Sequence, residues 1–187
     1  MSTYDLILKR RTIRKFKQRK IDKNTLEKLI NAARFAPSAA NLQPLKYVIV
    51  DKPEKVEKVF ENVRWAGYIA PAGNPEKDER PVAFIAILVD TEIKKNDYQH
   101  DIGAAVQNIL LAALEEGIGT CWMGAIDRDK IRAVLNIPER YILDTVIALG
   151  YPAENPVAED ENGSIKYYKD SSGVLHVPKR KLSDIIL

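Results

Sequence analysis

Apolar residues recur every three or four positions in several stretches of the chain, and this period predicts amphipathic helices. The best defined stretch covers residues 24–36, where Asn24 and Glu27 match a capping box at the start of the helix. Further helices are predicted over residues 3–10, 53–62, 99–116 and 127–135. In the first of these, Leu6 and Ile7 are expected to face inward.

The helix predicted over residues 99–116 is apolar around most of its circumference. One stripe is formed by Ile102, Ala105, Val106, Ile109, Leu110 and Ala113. Alanine and leucine residues on either side widen that stripe, so few positions remain for a solvated face. Such a helix is buried, and the pattern alone leaves open whether the centre of one chain or a dimer interface covers it.

Continuous apolar runs predict strands at residues 45–50, 82–89 and 143–149, the second of them covered on both faces. Residues 119–123 predict a short strand or extended turn. Near the C-terminus, two short runs flank Asp170–Gly173 and predict a β-hairpin. Between the first two strands, residues 66–81 are rich in glycine and proline and predict a long loop of the kind that often forms a lid. This order of elements predicts an α+β fold with a central sheet and surrounding helices.

Composition narrows the class of protein. The 187 residues are 45% hydrophobic and 29% charged, which is typical of a globular chain forming one domain over residues 1–187. No apolar run is long enough to cross a bilayer, and no secretory signal is recognisable, so no membrane association is expected. A lone cysteine, Cys121, fits a cytoplasmic protein. His100 and His176 are too far apart in sequence for a metal site, so none is expected.

Positive charge is concentrated near the N-terminus. Residues 9–20 carry eight lysines or arginines and no acid, whereas acidic residues outnumber basic ones in the rest of the chain. A nucleic-acid-binding protein usually has a wider basic face, so nucleic acid is disfavoured as a partner. The pattern favours a site for one small anion, with a solvated cationic stretch as the alternative.

Four segments carry candidate binding groups. Arg10, Arg11 and Arg14 offer forked donors that match phosphate oxygens, and Thr12 adds a hydroxyl, although a solvated linker explains this segment equally well. Residues 37–41 follow a helix end with small and polar residues that would admit a flat polar ring, although an ordinary loop is the simpler explanation.

The other two segments lie further along the chain. Residues 117–124 contain Gly-x-Gly but no third glycine and no following helix, so they do not match a dinucleotide fingerprint. They instead favour close backbone packing, with the amides of Met123 and Gly124 able to reach a ligand. Residues 178–182 are basic and form either a solvated tail or a second clamp on the same anion.

Two polar positions favour structural roles. Cys121 has no histidine near it in sequence, and a buried structural cysteine is more common than a nucleophile. Asp101 is predicted to cap the helix that begins there, and His100 beside it is expected to be structural, with a position in the pocket as the alternative.

All four segments, in this order, resemble the nitroreductase family of FMN-dependent oxidoreductases, and the resemblance runs from about residue 4 to residue 187. The matching motifs are Arg10-Arg11-Thr12-x-Arg14-x-Phe16, Pro37-Ser38-Ala39-Ala40-Asn41-x-Gln43-Pro44, Asp101-Ile102-Gly103-Ala104-Ala105-x-Gln107-Asn108 and Gly117-x-Gly119-Thr120-Cys121-Trp122. Residues 62–81 are short and proline-rich where many members carry a longer helical cover, and the C-terminal tail is brief.

The resemblance implies a nitroreductase-like α+β fold with a mostly antiparallel central sheet, and a homodimer with two FMN sites at its interface. It assigns the flavin phosphate and ribityl chain to Arg10, Arg11, Thr12 and Arg14, together with Lys179, Arg180 and Lys181. It assigns a contribution from the partner chain to Pro37, Ser38, Ala39 and Asn41. The amides of Met123 and Gly124 would face flavin N5 and O4, and no catalytic acid–base side chain is implied.

The implied activity is hydride transfer from NADH or NADPH to nitroaromatic, quinone or similar acceptors by a ping-pong mechanism. Reductive dehalogenation or flavin fragmentation is an alternative, which the short segment at residues 62–81 disfavours. A flavin-binding or partner-binding protein without turnover is another. The sequence does not choose between the two nicotinamide donors.

Overall fold

A computed structural model describes residues 2–187 and contains a five-stranded sheet, a smaller three-stranded sheet and five α-helices. The helices are α1 (Thr3–Lys9), α2 (Lys23–Arg34), α3 (Pro53–Phe60), α4 (Gln99–Glu115) and α5 (Arg128–Leu135). The strands are β1 (Phe16–Lys17), β2 (Leu45–Val50), β3 (Ala83–Asp90), β4 (Gly119–Met123), β5 (Tyr141–Pro152), β6 (Val157–Asp160), β7 (Tyr168–Lys169) and β8 (Leu175–Lys179). No helix within residues 2–187 combines the length and hydropathy needed to cross a membrane.

The larger sheet is antiparallel throughout. Its strands follow the order β1-β5-β3-β2, and β4 also pairs with β5. All eight residues of β3 are buried, which confirms the expectation that this strand is covered on both faces. The α+β class with a mostly antiparallel central sheet is therefore confirmed.

Successive residues of β3 point to opposite faces of the sheet and enter two separate cores. Ile85, Ile87 and Val89 pack with apolar residues of α2 and α4. Phe84, Ala86 and Leu88 pack with residues of α3 and α5. The sheet thus forms a middle layer between two pairs of helices, and α4 is covered mainly by its own chain.

Three expectations about the helices are wrong in detail. The cap of α2 is Asp22, whose carboxylate accepts the Asn24 N–H at 2.8 Å, and not Asn24 with Glu27. Ile7 is 46% exposed because α1 lies on the surface, with no residue fully buried. The N-cap of α4 is Tyr98 rather than Asp101, which lies buried inside the first turn.

The smaller sheet is only partly as expected. The hairpin formed by β7 and β8 is confirmed, with Asp170 accepting the turn amides of Ser172 and Val174. The third strand, β6, pairs in parallel with β8 and was not predicted. Residues 157–160 are mostly exposed and lack the apolar alternation that indicates a strand.

Glycine allows the segment before β1 to lie directly against the larger sheet. A Cβ atom on Gly119 would lie 2.8–2.9 Å from the side chain of Ile13, and one on Gly150 would lie 2.7 Å from Phe16 Cβ. Real Cβ atoms do not approach other carbons this closely. Gly119 of the Gly-x-Gly sequence therefore serves close packing in an extended strand, as expected. Gly117 differs, with a φ angle of 70° and no atom within 4 Å of an added Cβ.

We predict that Gly119→Ala lowers the free energy of unfolding by about 1–3 kcal/mol, because the added methyl overpacks against Ile13. The matched control is Gly67→Ala, where no atom lies within 4 Å of the new Cβ. Urea denaturation followed by circular dichroism measures both. Equal stability of the two variants would contradict the proposed close approach.

Candidate functional site

The N-terminal basic segment, residues 10–15, is fixed along β4. Ile13 N–H donates to Thr120 O at 2.9 Å, and Thr12 pairs with Thr120 in a parallel bridge. Glu154 Oε1 accepts the backbone N–H groups of Arg14 at 2.5 Å and Lys15 at 3.2 Å. The backbone of the basic segment is therefore held by β4 on one side and by the chain after β5 on the other.

Three guanidinium groups of the basic segment lack a carboxylate partner. Within the described part of the chain, no salt bridge involves Arg10, Arg11 or Arg14, whereas Lys15 Nζ lies 2.6 Å from Glu79 Oε2. Arg11 donates to its own neighbours, Arg10 O at 2.7 Å and Leu8 O. Partly buried cations without counter-charges favour binding of an anion.

The pKa shifts of Arg10 and Arg11 agree with binding of an anion by the basic segment. Burial, and then the charge of Arg11, lowers the pKa of Arg10, and burial lowers the pKa of Arg11. Both groups remain charged at neutral pH, because an ordinary guanidinium pKa lies above 12. A bound anion would relieve the burial cost and the mutual repulsion.

A cavity of about 230 Å³ lies beside these cations. One wall comes from the C-terminal part of α4, including Leu110 and Leu114. Another comes from Gly117–Thr120 and a third from the chain around Glu154–Pro156. The cavity therefore combines arginine donors with an apolar wall.

The segment at residues 37–41 lies at the opposite end of α4. Ser38 Oγ donates to Asp101 Oδ1 at 2.5 Å, and Lys94 Nζ donates to Asp101 Oδ2 at 2.6 Å. Ala40 and Asn41 adopt positive φ angles of 51° and 55°, so the turn is sharply bent. Pro37, Ala39 and Asn41 are exposed.

Asp101 is charged although only 3% of its surface is exposed. Burial acts to raise the pKa of this carboxyl group, but Lys94, Ser38 and the Ala39 N–H outweigh it, so the pKa lies below its usual value. The sequence carried one signal of this buried network: an aspartate in line with the apolar stripe of α4. No feature of the sequence indicated that Lys94 would pair with Asp101.

One chain does not bring the two segments together. Asp101 precedes Leu110 by nine residues and Leu114 by thirteen on α4. At 1.5 Å per residue, the Ser38 network and the arginine-lined cavity are about 14–20 Å apart along the helix axis. The Ser38 network and the arginine-lined cavity therefore lie at different ends of α4.

Met123 ends β4, roughly 10 Å from Thr120 at the strand's rise of about 3.3 Å per residue, and Gly124 follows it directly. Met123 is buried, and its carbonyl accepts Thr145 Oγ1 at 2.5 Å. Gly124 is exposed and lines another cavity, of about 490 Å³, with Arg64 and Arg128.

Lys179, Arg180 and Lys181 are exposed, and none lines the arginine-lined cavity. Lys179 lies opposite Asp160 where β8 pairs with β6. The structure of one chain therefore does not bring this second basic cluster to Arg10 and Arg11.

Cys121 is buried, and burial raises the pKa of its thiol to about 11, which agrees with the expected structural role. His100 is exposed.

Two residues that the sequence analysis did not single out contact the basic segment. Tyr167, in the turn before β7, lies under Arg14 with 5.1 Å between Cζ and the ring centroid. Glu79, in the loop expected to be a lid, pairs with Lys15. That loop contains two 3₁₀ turns, Gly67–Ile69 and Lys77–Glu79, and is attached to the basic segment. Contacts between residues this distant in sequence have no local signal.

Comparison with known proteins identifies relatives over most of the chain. A sequence model of the nitroreductase family matches residues 7–151. A Methanothermobacter thermautotrophicus protein, provisionally named an NADH dehydrogenase/NAD(P)H nitroreductase, is 37% identical over 166 residues, covering 86% of this chain and 82% of its own. A protein of Archaeoglobus fulgidus with the same provisional name is 35% identical over 156 residues, covering 80% of this chain and 84% of its own.

A solved structure extends the similarity to the complete fold. A provisionally named nitroreductase from Desulfovibrio desulfuricans, in complex with FMN, is 26% identical and superimposes with a TM-score of 0.70. The alignment covers 100% of this chain and 96% of that one. The nitroreductase-like fold expected from the motifs is therefore confirmed.

We predict that Asp101→Asn lowers the free energy of unfolding by about 3–5 kcal/mol at pH 7, since it leaves the buried Lys94 ammonium without a counter-charge. Because the folded pKa of Asp101 is lowered, its stabilisation is present above about pH 4 and is lost as pH falls through the folded pKa. The difference between wild type and variant should therefore shrink in acid.

Urea denaturation at pH 7 and pH 3 measures this difference. Glu27→Gln is the control, because it breaks an exposed pair with Lys23 that contributes less than about 1 kcal/mol. A pH-independent loss in Asp101→Asn would show that charge pairing is not the cause.

Proposed function

This chain belongs to the nitroreductase family, and we propose that it is an FMN-dependent NAD(P)H oxidoreductase that passes hydride to small organic acceptors. The observation that carries the proposal is the pair of guanidinium groups without carboxylate partners, Arg10 and Arg11, that line the cavity between α4 and β4. A flavin phosphate fits these donors, because arginine forks match phosphate oxygens. The FMN complex of the similar Desulfovibrio desulfuricans protein supports this choice of anion.

We assign the phosphate and ribityl chain to Arg10, Arg11, Thr12 and Arg14. The remaining flavin contacts are assigned to Met123, which ends the strand beside which the basic segment lies, and to Gly124, which follows it directly. Lys179, Arg180 and Lys181 are assigned as further cations for the phosphate, supported by their exposure and by the absence of a salt bridge to any of them within residues 2–187.

We propose a homodimer in which Pro37, Ser38, Ala39 and Asn41 of one copy complete the site of the other. The separation of residues 37–41 from the basic segment along α4 supports this dimer. A second copy can supply residues 37–41 to a site that its partner's own residues 37–41 are too far away to reach. Exposed apolar side chains offer surface for such an interface: Tyr4, Ile7, Leu8, Phe35, Leu42, Leu182, Ile185 and Ile186. The buried Asp101–Ser38 bond would hold the contributed turn in shape.

When bound, the flavin supplies the redox chemistry: it takes a hydride from NADH or NADPH and gives it to a nitroaromatic, quinone or similar acceptor in a second half-reaction. The chain's own residues bind and orient the cofactor, and no side-chain acid or base is assigned. Because both half-reactions would use one pocket, the absence of a separate dinucleotide fingerprint is accounted for.

We predict that the purified protein reconstituted with FMN shows flavin absorbance that bleaches on anaerobic addition of NADH or NADPH and returns when a quinone is added. Parallel double-reciprocal plots would support ping-pong turnover. Bound flavin that neither nucleotide bleaches would indicate a non-catalytic binding protein instead. Failure to bind FMN at all would contradict the proposed function.

We predict that Arg10→Ala weakens FMN binding about 10- to 150-fold, as expected when a charged hydrogen bond worth roughly 1.5–3 kcal/mol is lost. Arg19→Ala is the matched control, since Arg19 belongs to the same cationic run but stacks on Tyr151, 4.1 Å from its ring centroid. Fluorescence titration with FMN measures both variants.

The same variant tests the shared site. In mixed dimers of an Arg10→Ala chain with an Asn41→Ala chain, one site carries both changes and the other carries neither. Tagged purification of the mixed dimer should therefore give one FMN bound with wild-type affinity per two chains. Two sites that are each weakened by a single change, with none at wild-type affinity, would show that each site is built from one chain.

A further inference from the structure

The C-terminal hairpin and the loop after α3 meet at Arg14. The guanidinium of Arg14 lies over the Tyr167 ring, whose centroid is 4.9 Å from that of Tyr68. Tyr68 N–H donates to Tyr167 Oη at 3.4 Å. Lys169 Nζ donates to Ala72 O at 3.0 Å, which ties β7 to the same loop. Tyr167 is thus held from behind by Tyr68 and presents its ring to Arg14.

Arg14 differs from the neighbouring Lys15 in the type of partner. Glu79 neutralises Lys15, whereas the only side-chain partner of the Arg14 guanidinium among residues 2–187 is an uncharged ring. A cation–π contact attracts the guanidinium without using its five N–H donors. Arg14 is therefore restrained in position while its charge and donors stay available to an anion.

We propose that Tyr167 is a positioning residue that holds the Arg14 side chain in place for the flavin cofactor, an inference that rests on the proposed function. Glu154 fixes the backbone at Arg14, and Tyr167 fixes the side chain. A side chain restrained before binding loses less conformational freedom when the ligand arrives, and this raises affinity.

The proposed restraint on Arg14 comes from the π face of the Tyr167 ring and not from its hydroxyl group. Tyr167 Oη contacts only a backbone amide of the loop, at the long distance of 3.4 Å. Tyr167→Phe should therefore preserve the effect. Tyr167→Leu keeps an apolar side chain but removes the π face, so it tests the stack while retaining most of the packing of this half-buried position.

The experiment measures the dissociation constant of FMN by fluorescence quenching for the wild type and both variants, with the melting temperature of each apoprotein. Tyr167→Leu should weaken binding about three- to tenfold, the range for loss of a partly exposed cation–π contact. Tyr167→Phe should stay within about twofold of wild type. Tyr168→Leu is the matched control, since Tyr168 lies in the same hairpin but stacks on His176.

A double-mutant cycle separates positioning from a general effect on the hairpin. If Tyr167 acts through Arg14, then Tyr167→Leu should have no further effect on FMN binding in an Arg14→Ala chain. An equal loss in that background overturns the proposal, as does a loss of the same size in Tyr168→Leu. If the wild type binds FMN tightly and Tyr167→Leu binds it equally well, this inference is overturned and the proposed function is not. Absence of FMN binding in the wild type overturns the proposed function together with it.

Discussion

The close contact between the basic segment and the larger sheet is the constraint on which the rest of the site depends. Two side chains, Ile13 and Phe16, lie directly over Gly119 and Gly150 of adjacent strands, where any Cβ would collide. Both side chains belong to the core that the sheet forms with α3 and α5. The basic segment therefore cannot shift without disrupting the packing of that core. Core packing therefore places the backbone of the basic segment, and with it the three arginines that the segment carries.

Helix α4 then sets the spacing of the site. Its apolar stripe is buried against the sheet and α2, which makes it a rigid element between the Ser38 network and the arginine-lined cavity. At its N-terminus, Asp101 sits where a negative charge is favoured by the helix dipole, and Lys94 neutralises it. A helix of this length keeps the Ser38 network and the arginine-lined cavity apart within one chain, and for that reason the proposed flavin site draws on two chains.

The parts of the fold that follow from local pattern were predictable from the sequence. Strands β2 and β4 begin and end where expected, and the run through β3 indicated a strand buried on both faces. The cap of α2 was misplaced because Asp22 and Asn24 are both good capping residues two positions apart. The parallel pairing of β6 and the stack of Tyr167 on Arg14 join residues distant in sequence, so no local pattern could have indicated either.

The basic segment itself breaks a general rule of folded proteins. Half-buried cations are normally paired, and the same chain pairs Lys15, Lys94 and Arg140 with carboxylates. Leaving Arg10 and Arg11 unpaired costs stability, because burial acts against both charges and Arg11 also repels Arg10. Such local conflicts are expected at functional sites, where a ligand resolves what the chain alone does not. Glu154 accepts two backbone amides of this segment but forms no salt bridge with its arginines within residues 2–187, and the proposed flavin phosphate would supply the missing negative charge.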